Sequence, residues 1–198
     1  MIDSNILNYS CLERLNVSRE TFPDLEEFRK FIIKKNKSIN LISKKTERIS
    51  KERHIIDSAQ IIDFIDLNRQ ICTDIGSGPG LPGIVLAIIM KHKNSEMKFN
   101  LYEKSFHKSN FLKEVANKFN LNVEVFRKDI FEEKNLSSDV IVARAFKPLP
   151  VILKLIHSNF KFFDEIILFL GSKGKEILTE VLREWKFEYE QKKSITNP

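Results

Sequence analysis

Of its 198 residues the chain spends only six on glycine, two on cysteine and one on tryptophan. Cys11 and Cys72 lie far apart without metal-ligand spacing, and Cys72, inside an apolar run, reads as a reduced core thiol. No metal site is expected. Long apolar stretches are also missing: Ile84 to Met90 is the longest, far below the ~20 residues of a bilayer-spanning helix, so no membrane partner is expected. The opening MIDSNILNYS has an acid at its third position and no basic-then-apolar layout, so no secretory leader is expected and a cytoplasmic location is. Repeats, low-complexity tracts and flexible linkers are absent as well.

What is present, 42% hydrophobic and 30% charged residues, suits an ordinary globule of one domain with a small extension. Residues 1–66 read as a helical N-terminal extension. Leu7, Cys11, Leu12 and Leu15 share one helical stripe; Phe22, Leu25, Phe28 and Ile32 share another, with Pro23 suited to a first turn; Ile55, Ile56, Ala59, Ile62 and Ile65 make a third. From residue 67 to 198 the pattern alternates. Strands are predicted at Ile71–Ile75, Phe99–Tyr102, Val123–Phe126, Val140–Ala143 and Glu165–Leu170. Helices are predicted from Pro82, through Phe111 to Phe119, from Pro148 and from Lys175. Such alternation implies a parallel α/β sheet with helices on both faces, a Rossmann-like arrangement.

The formal charge of +6 is local. Ten Lys or Arg fall between Arg29 and Arg53 against two acids, Glu47 and Glu52, so this stretch alone carries more than the whole excess. It reads either as a surface that meets phosphate, with Lys34, Lys35 and Lys37 at its centre, or as a solvated helix face.

Four of the six glycines, Gly76, Gly78, Gly80 and Gly83, gather in "TDIGSGPGLPGIVLAII", where a backbone free of side chains can be approached closely. Gly78 to Gly83 spell G-x-G-x-x-G, and Glu103 follows twenty residues later, which satisfies a dinucleotide fingerprint literally. An acid, Asp74, near the strand end and two prolines in a longer loop fit that fingerprint poorly. They suit a cationic ligand with an amino-acid group, whose ammonium Asp74 can meet. Glu103 after the second strand can accept from ribose hydroxyls, and Asp129 after the third from an adenine amino group. Acids after three successive strands, with the glycine loop, suit S-adenosylmethionine in a methyltransferase of the Rossmann-like class I kind.

DIGSGPGLPGIVLAI, together with NLIS, ERHIIDS and ARAF, closely resembles the 16S rRNA guanine-N7 methyltransferases, also called the glucose-inhibited division protein B family, from about Asn36 to Gly174. The resemblance implies that Gly76 and Leu81 line the methionine side of the cofactor and that Glu103 sits at the ribose. It implies Lys128 and Asp129 at the adenine, and Arg144 closing the pocket beside the methyl group. Asn40, Arg53, His54 and Lys173 would face RNA, and the partner would be 16S rRNA or the 30S subunit. A monomer is expected. Departures from the family pattern are Glu103-Lys104 for Asp-Ser, Lys108-Ser109 for Lys-Arg, and Gly171-Ser172-Lys173-Gly174 for Leu-Lys-Gly. The family fold would also be expected to add a last antiparallel strand pairing with Trp185–Glu190 where this sequence reads SITNP, so either a truncated tail or an open edge is expected there.

Guanine N7 carries a free lone pair and no proton, so its methylation asks for positioning rather than a general base. In keeping with this, the chain has neither an Asn/Asp-Pro-Pro-aromatic tetrapeptide nor a Pro-Cys pair. Arg144 has the strongest claim to chemistry, against the plainer reading of a strand-end salt bridge. His54 reads as a structural or phosphate-contacting residue, and Arg53 and Asp57, four apart, can pair with each other. Two other readings stay open: a nicotinamide-dependent oxidoreductase, and a non-catalytic RNA-binding ribosome-assembly protein.

Overall fold

The structure is a computed structural model that describes residues 9–93 and 95–196; Leu7, placed above on the first helical stripe, lies outside them. Five parallel strands form the sheet: β1 (Ile71–Ile75), β2 (Lys98–Tyr102), β3 (Val123–Phe126), β5 (Val140–Arg144) and β7 (Glu165–Phe169), in the order β3-β2-β1-β5-β7. The chain winds outward from β1 in one direction and then returns to β1's other side with β5. The crevice between β1 and β5 at the carboxyl edge is therefore where such a sheet holds its ligand.

Strand alternation divides the core. Cys72, Phe99, Leu101, Val140 and Val142 point to one face, and Ile75, Tyr102, Ile141 and Ala143 to the other. The first face is covered by α1 (Phe22–Asn36), α2 (Gly83–His92) and α3 (Phe106–Lys118). The second is covered by α4 (Leu149–Asn159), against which α5 (Gly174–Val181) packs through Leu178 and Val181. Helix α2 is buried from Gly83 to Met90, which explains its apolar sequence on every side. Ser105 accepts a hydrogen bond from the Lys108 amide and caps α3.

The N-terminal segment is less regular than its periodicity predicts. Ser10–Leu15 is a 3-10 helix, and the third stripe is a composite: a π turn Lys51–Ile56, an α turn Asp57–Ala59 and a 3-10 turn Gln60–Phe64. The apolar spacing still buries Leu12, Leu15, Ile55, Ile56, Ala59 and Ile62, because these windings keep one face inward. These residues belong to the same hydrophobic cluster as Val85, Leu86 and Phe111 of the sheet's helices. A short pair that periodicity did not indicate, β4 (Leu136–Ser137) with β6 (Phe160–Phe162), is too brief to leave a pattern. Residues 185–194 form no strand, and the tail turns instead toward the 57–63 segment.

Candidate active site

Along the carboxyl edge runs an open groove of about 2160 Å³, with Gly78, Glu103, Asp129, His54 and Arg144 among its walls. The glycine loop that borders it is built for two different reasons. At Gly76 and Gly83 a Cβ would lie 2.1 Å from the Phe146 ring and 2.6 Å from Asp74 Oδ2, so the chain's own packing excludes a side chain. At Gly78 the nearest atom to a Cβ would be 4.0 Å away, and φ is +56°. Gly78 is therefore the position where the missing side chain opens space toward the groove.

Glu103, at the end of β2, braces this loop: Oε2 accepts from the Gly78 amide at 3.0 Å and Oε1 from the Ser105 amide at 2.7 Å. A carboxylate offers about four acceptor sites, so two remain for hydroxyl groups. Asp129 accepts from the Phe131 amide and from Lys104 Nζ, both at 3.2 Å, and these contacts hold its carboxyl below the usual range. Lys128 is exposed and pairs with Glu133. The loop after Asp129 is fixed by an amide that no pattern of residues singled out. Asn159 Nδ2 donates to the carbonyls of Ile130, Phe131 and Glu133, and its Oδ1 accepts from Lys134.

Asp74 differs from expectation. It is fully buried; Oδ2 accepts from the Gly83 amide at 2.9 Å, and burial raises its pKa to about 7. It is not among the residues that line the groove, and its Oδ2 anchors the start of α2. Its Oδ1 has no hydrogen-bond partner among the described residues, an acceptor left over beneath the glycine loop.

Arg144, at the end of β5, is the centre of a cluster. Nη2 donates to Asp57 Oδ2 at 2.8 Å and to the Arg53 carbonyl, and Nη1 faces His54 Nδ1 at 3.4 Å. Asp57 thus pairs across the groove with Arg144 and not with Arg53 four residues before it, because the π turn carries the Arg53 side chain outward to solvent. His54 Nε2 lies 2.8 Å from Thr46 Oγ1, and burial together with the Arg144 charge pushes its pKa down to about 4. With Arg144 donating to Nδ1, the imidazole proton sits on Nε2 and both ring nitrogens are occupied. The next residue, Ala145, takes φ +48°, and Phe146 then packs on Gly76 and stacks on Phe131.

The basic stretch is only partly free. Arg29 pairs with Glu26 and Ser50, Lys51 is buried with its ammonium over the Tyr9 ring, and Lys35 binds Glu114. Lys34, Lys37, Lys44, Lys45 and Arg48 stay exposed, as do Asn40 and Arg53. Lys173 is exposed in the Gly171–Gly174 turn before α5. None of Lys34, Lys35, Lys37, Asn40 or Lys173 lines the groove, whereas Arg53 and His54 do. Asn36, buried, ties down the intervening loop: Oδ1 accepts from the Leu41 and Ile42 amides, and Nδ2 donates to the Ile42 carbonyl and Glu47.

A family model described as rRNA small subunit methyltransferase G matches residues 21–197. The chain belongs to that family. Among its relatives, the Ribosomal RNA small subunit methyltransferase G of Pelagibacter ubique is 48% identical over 96% of this chain and 90% of its own length. That of Rickettsia akari is 36% identical over 92% of both. Solved structures share the fold. A SAM-dependent O-methyltransferase from Thermotoga maritima superposes with a TM-score of 0.50 at 21% identity, over 65% of this chain and 49% of its own. The ribosomal protein L11 methylase of Lactobacillus delbrueckii does so with a TM-score of 0.50 at 19% identity, over 65% of each chain. The α/β sheet of this chain is thus the Rossmann-like one of S-adenosylmethionine-dependent methyltransferases. Membership of the family disfavours the oxidoreductase reading of the glycine loop. Among the described residues no helix is long and apolar enough to cross a membrane.

Proposed function

We propose that the protein transfers a methyl group from S-adenosylmethionine to N7 of a guanine in 16S rRNA, with the 30S subunit as its partner. The open side of Gly78, the two unused acceptor sites of Glu103 and the Asp129 carboxylate suit the methionine, ribose and adenine parts of the cofactor in turn. Gly76 and Leu81 border the methionine end, and Lys128 flanks the adenine end. When bound, the cofactor supplies an electrophilic methyl on a positively charged sulfur.

The observation that carries the reading is the state of His54. The imidazole beside Arg144 is held neutral, its pKa pushed down to about 4, and its Nδ1 lone pair is already engaged by Arg144, which makes it a poor base. Such a site favours an acceptor atom with no proton to lose, as guanine N7 is. Arg144 has five N–H donors, three of which Asp57, Arg53 and His54 take. Nε–H and one Nη1–H stay available to orient the base, and burial of the guanidinium makes them directional. In this reading Lys34, Lys35, Lys37, Asn40, Arg53 and His54 of the N-terminal extension (1–66), together with Lys173, meet the RNA, and the sheet domain (67–198) carries the transfer.

Radiolabelled methyl transfer onto 30S subunits from cells lacking the protein, followed by mapping of the label, tests this. A label on N7 of one 16S guanine is expected. Label elsewhere, or none with the folded protein and cofactor, overturns the reading.

A further inference from the structure

Asp57 is joined on both sides. Its Oδ2 holds Arg144, while Oδ1 accepts from Gln60 Nε2 at 2.8 Å, Ser194 Oγ at 3.1 Å and Thr196 Oγ1 at 3.1 Å. Gln60 returns its own oxygen to the Ile195 amide at 2.9 Å, and Lys192 reaches Asp63 at 2.7 Å. The C-terminal segment 192–196 is therefore stitched to the carboxylate that grips the arginine at the groove. The Arg144 and Asp57 side chains are only 12% and 9% exposed. A pair this buried adds little net stability over an apolar replacement, since desolvation offsets most of its attraction. What it does provide is direction. Three donors on Oδ1 stop the carboxylate from turning, which fixes Oδ2 and, through it, the plane of the guanidinium.

We infer that Asp57 is the positioning residue for Arg144, and that the Ser194–Thr196 segment acts on the reaction through Asp57. This rests on the methyl-transfer reading and adds to it a part of the chain remote in sequence from the groove. Asp57→Asn keeps an acceptor for Gln60 and the tail but loses the charge that Arg144 faces. The arginine is then free to leave its plane.

The test is a double-mutant cycle in the full-length protein, read as single-turnover methyl transfer onto unmethylated 30S subunits. Asp57→Asn is expected to slow transfer at least about thirtyfold, while the dissociation constant for S-adenosylmethionine moves less than about twofold. Added to Arg144→Lys, the same change is expected to cost less than about threefold, because the group it acts through is already gone. Equal losses in both backgrounds mean a merely structural role and overturn the inference. The variant Ser194→Ala/Thr196→Ala leaves the ion pair intact and covers the case in which Asp57→Asn does not fold. Its transfer should slow about threefold to tenfold at unchanged cofactor affinity; a rate equal to wild type overturns the part assigned to the tail. Failure of the function reading looks different: the unmutated protein itself would then place no methyl on 16S guanine.

Discussion

Replacing Arg144 by lysine keeps a positive charge opposite Asp57 but removes the planar fork. A single ammonium in the place of Nη2 can retain the Asp57 contact, now made at 2.8 Å, and the Arg53 carbonyl that the same nitrogen serves, but cannot also reach His54 Nδ1. One hydrogen bond gives a stability loss of about 0.5–1.5 kcal/mol. At roughly 2–4 °C per kcal/mol for a chain of this size, the melting temperature should fall by about one to six degrees. The protein should remain folded at 25 °C. The rate should suffer more, because the two uncommitted donors vanish with the guanidinium. We expect single-turnover methyl transfer to slow at least about a hundredfold, or about 2.7 kcal/mol of transition-state stabilisation, with 30S binding retained. His54→Ala is the control and should cost far less, since no base is needed. If His54→Ala is nearly dead while Arg144→Lys transfers at close to the wild-type rate, the account of base-free chemistry is wrong.

Gly78→Asn puts a side chain that tolerates positive φ into the one open position of the loop. Calorimetry should show S-adenosylmethionine affinity down at least about tenfold in a folded protein, and unchanged affinity would move the cofactor elsewhere. Changing Lys34 and Lys37, the exposed lysines of α1's end, to glutamine should weaken 30S binding and flatten its log–log salt dependence by about one to two units. A constant slope would make them a solvated face. Because His54 has its pKa depressed to about 4 from 6.5, the unfolded chain binds the proton more readily between those values. Its contribution to stability is full above about 6.5 and is lost as pH falls toward 4. Thermal melts across that range should therefore decline more steeply for the wild type than for His54→Gln, and parallel slopes would contradict the assigned pKa.

The sheet was legible because strand and helix periods are far apart. β1 and β3 fall on their predicted residues and the other strands of the sheet differ by one residue at an end, whereas α3 starts at Phe106, five residues before the first apolar position that marked it. The N-terminal windings were not legible, since 3-10, α and π turns all bury a residue every three to four positions. The apolar pattern is the same for each. At the site, Gly78, Glu103 and Asp129 line the groove and Asp74 does not, a division that the spacing alone did not show. That Asp74 lies beneath the loop depends on whether a side chain turns inward, which no spacing encodes. Asp57 pairs with Arg144 across eighty-seven positions of sequence, and the i,i+4 contact with Arg53 was the only partner that local spacing could suggest. Asn36 and Asn159 left no signal at all, because a buried amide that saturates a loop has the same letter as a solvated one.

The hydrophobic cluster that runs unbroken from Leu12 and Phe28 into Val85 and Phe111 has a consequence for how the protein meets a ribosomal particle. A hinge between the lysine-bearing helix and the sheet would have to tear that cluster open, so the two move as one piece. The molecule is a caliper with a fixed gap. If the exposed lysines of the 34–45 stretch grip phosphate, as proposed, they and the groove at the sheet's edge are its jaws. A phosphate backbone held by one jaw would then present to the other only those bases that lie at a set distance and angle. Selection among the many guanines of a large RNA would come from the spacing of a rigid tool, and a particle whose RNA is folded differently would offer it nothing to measure.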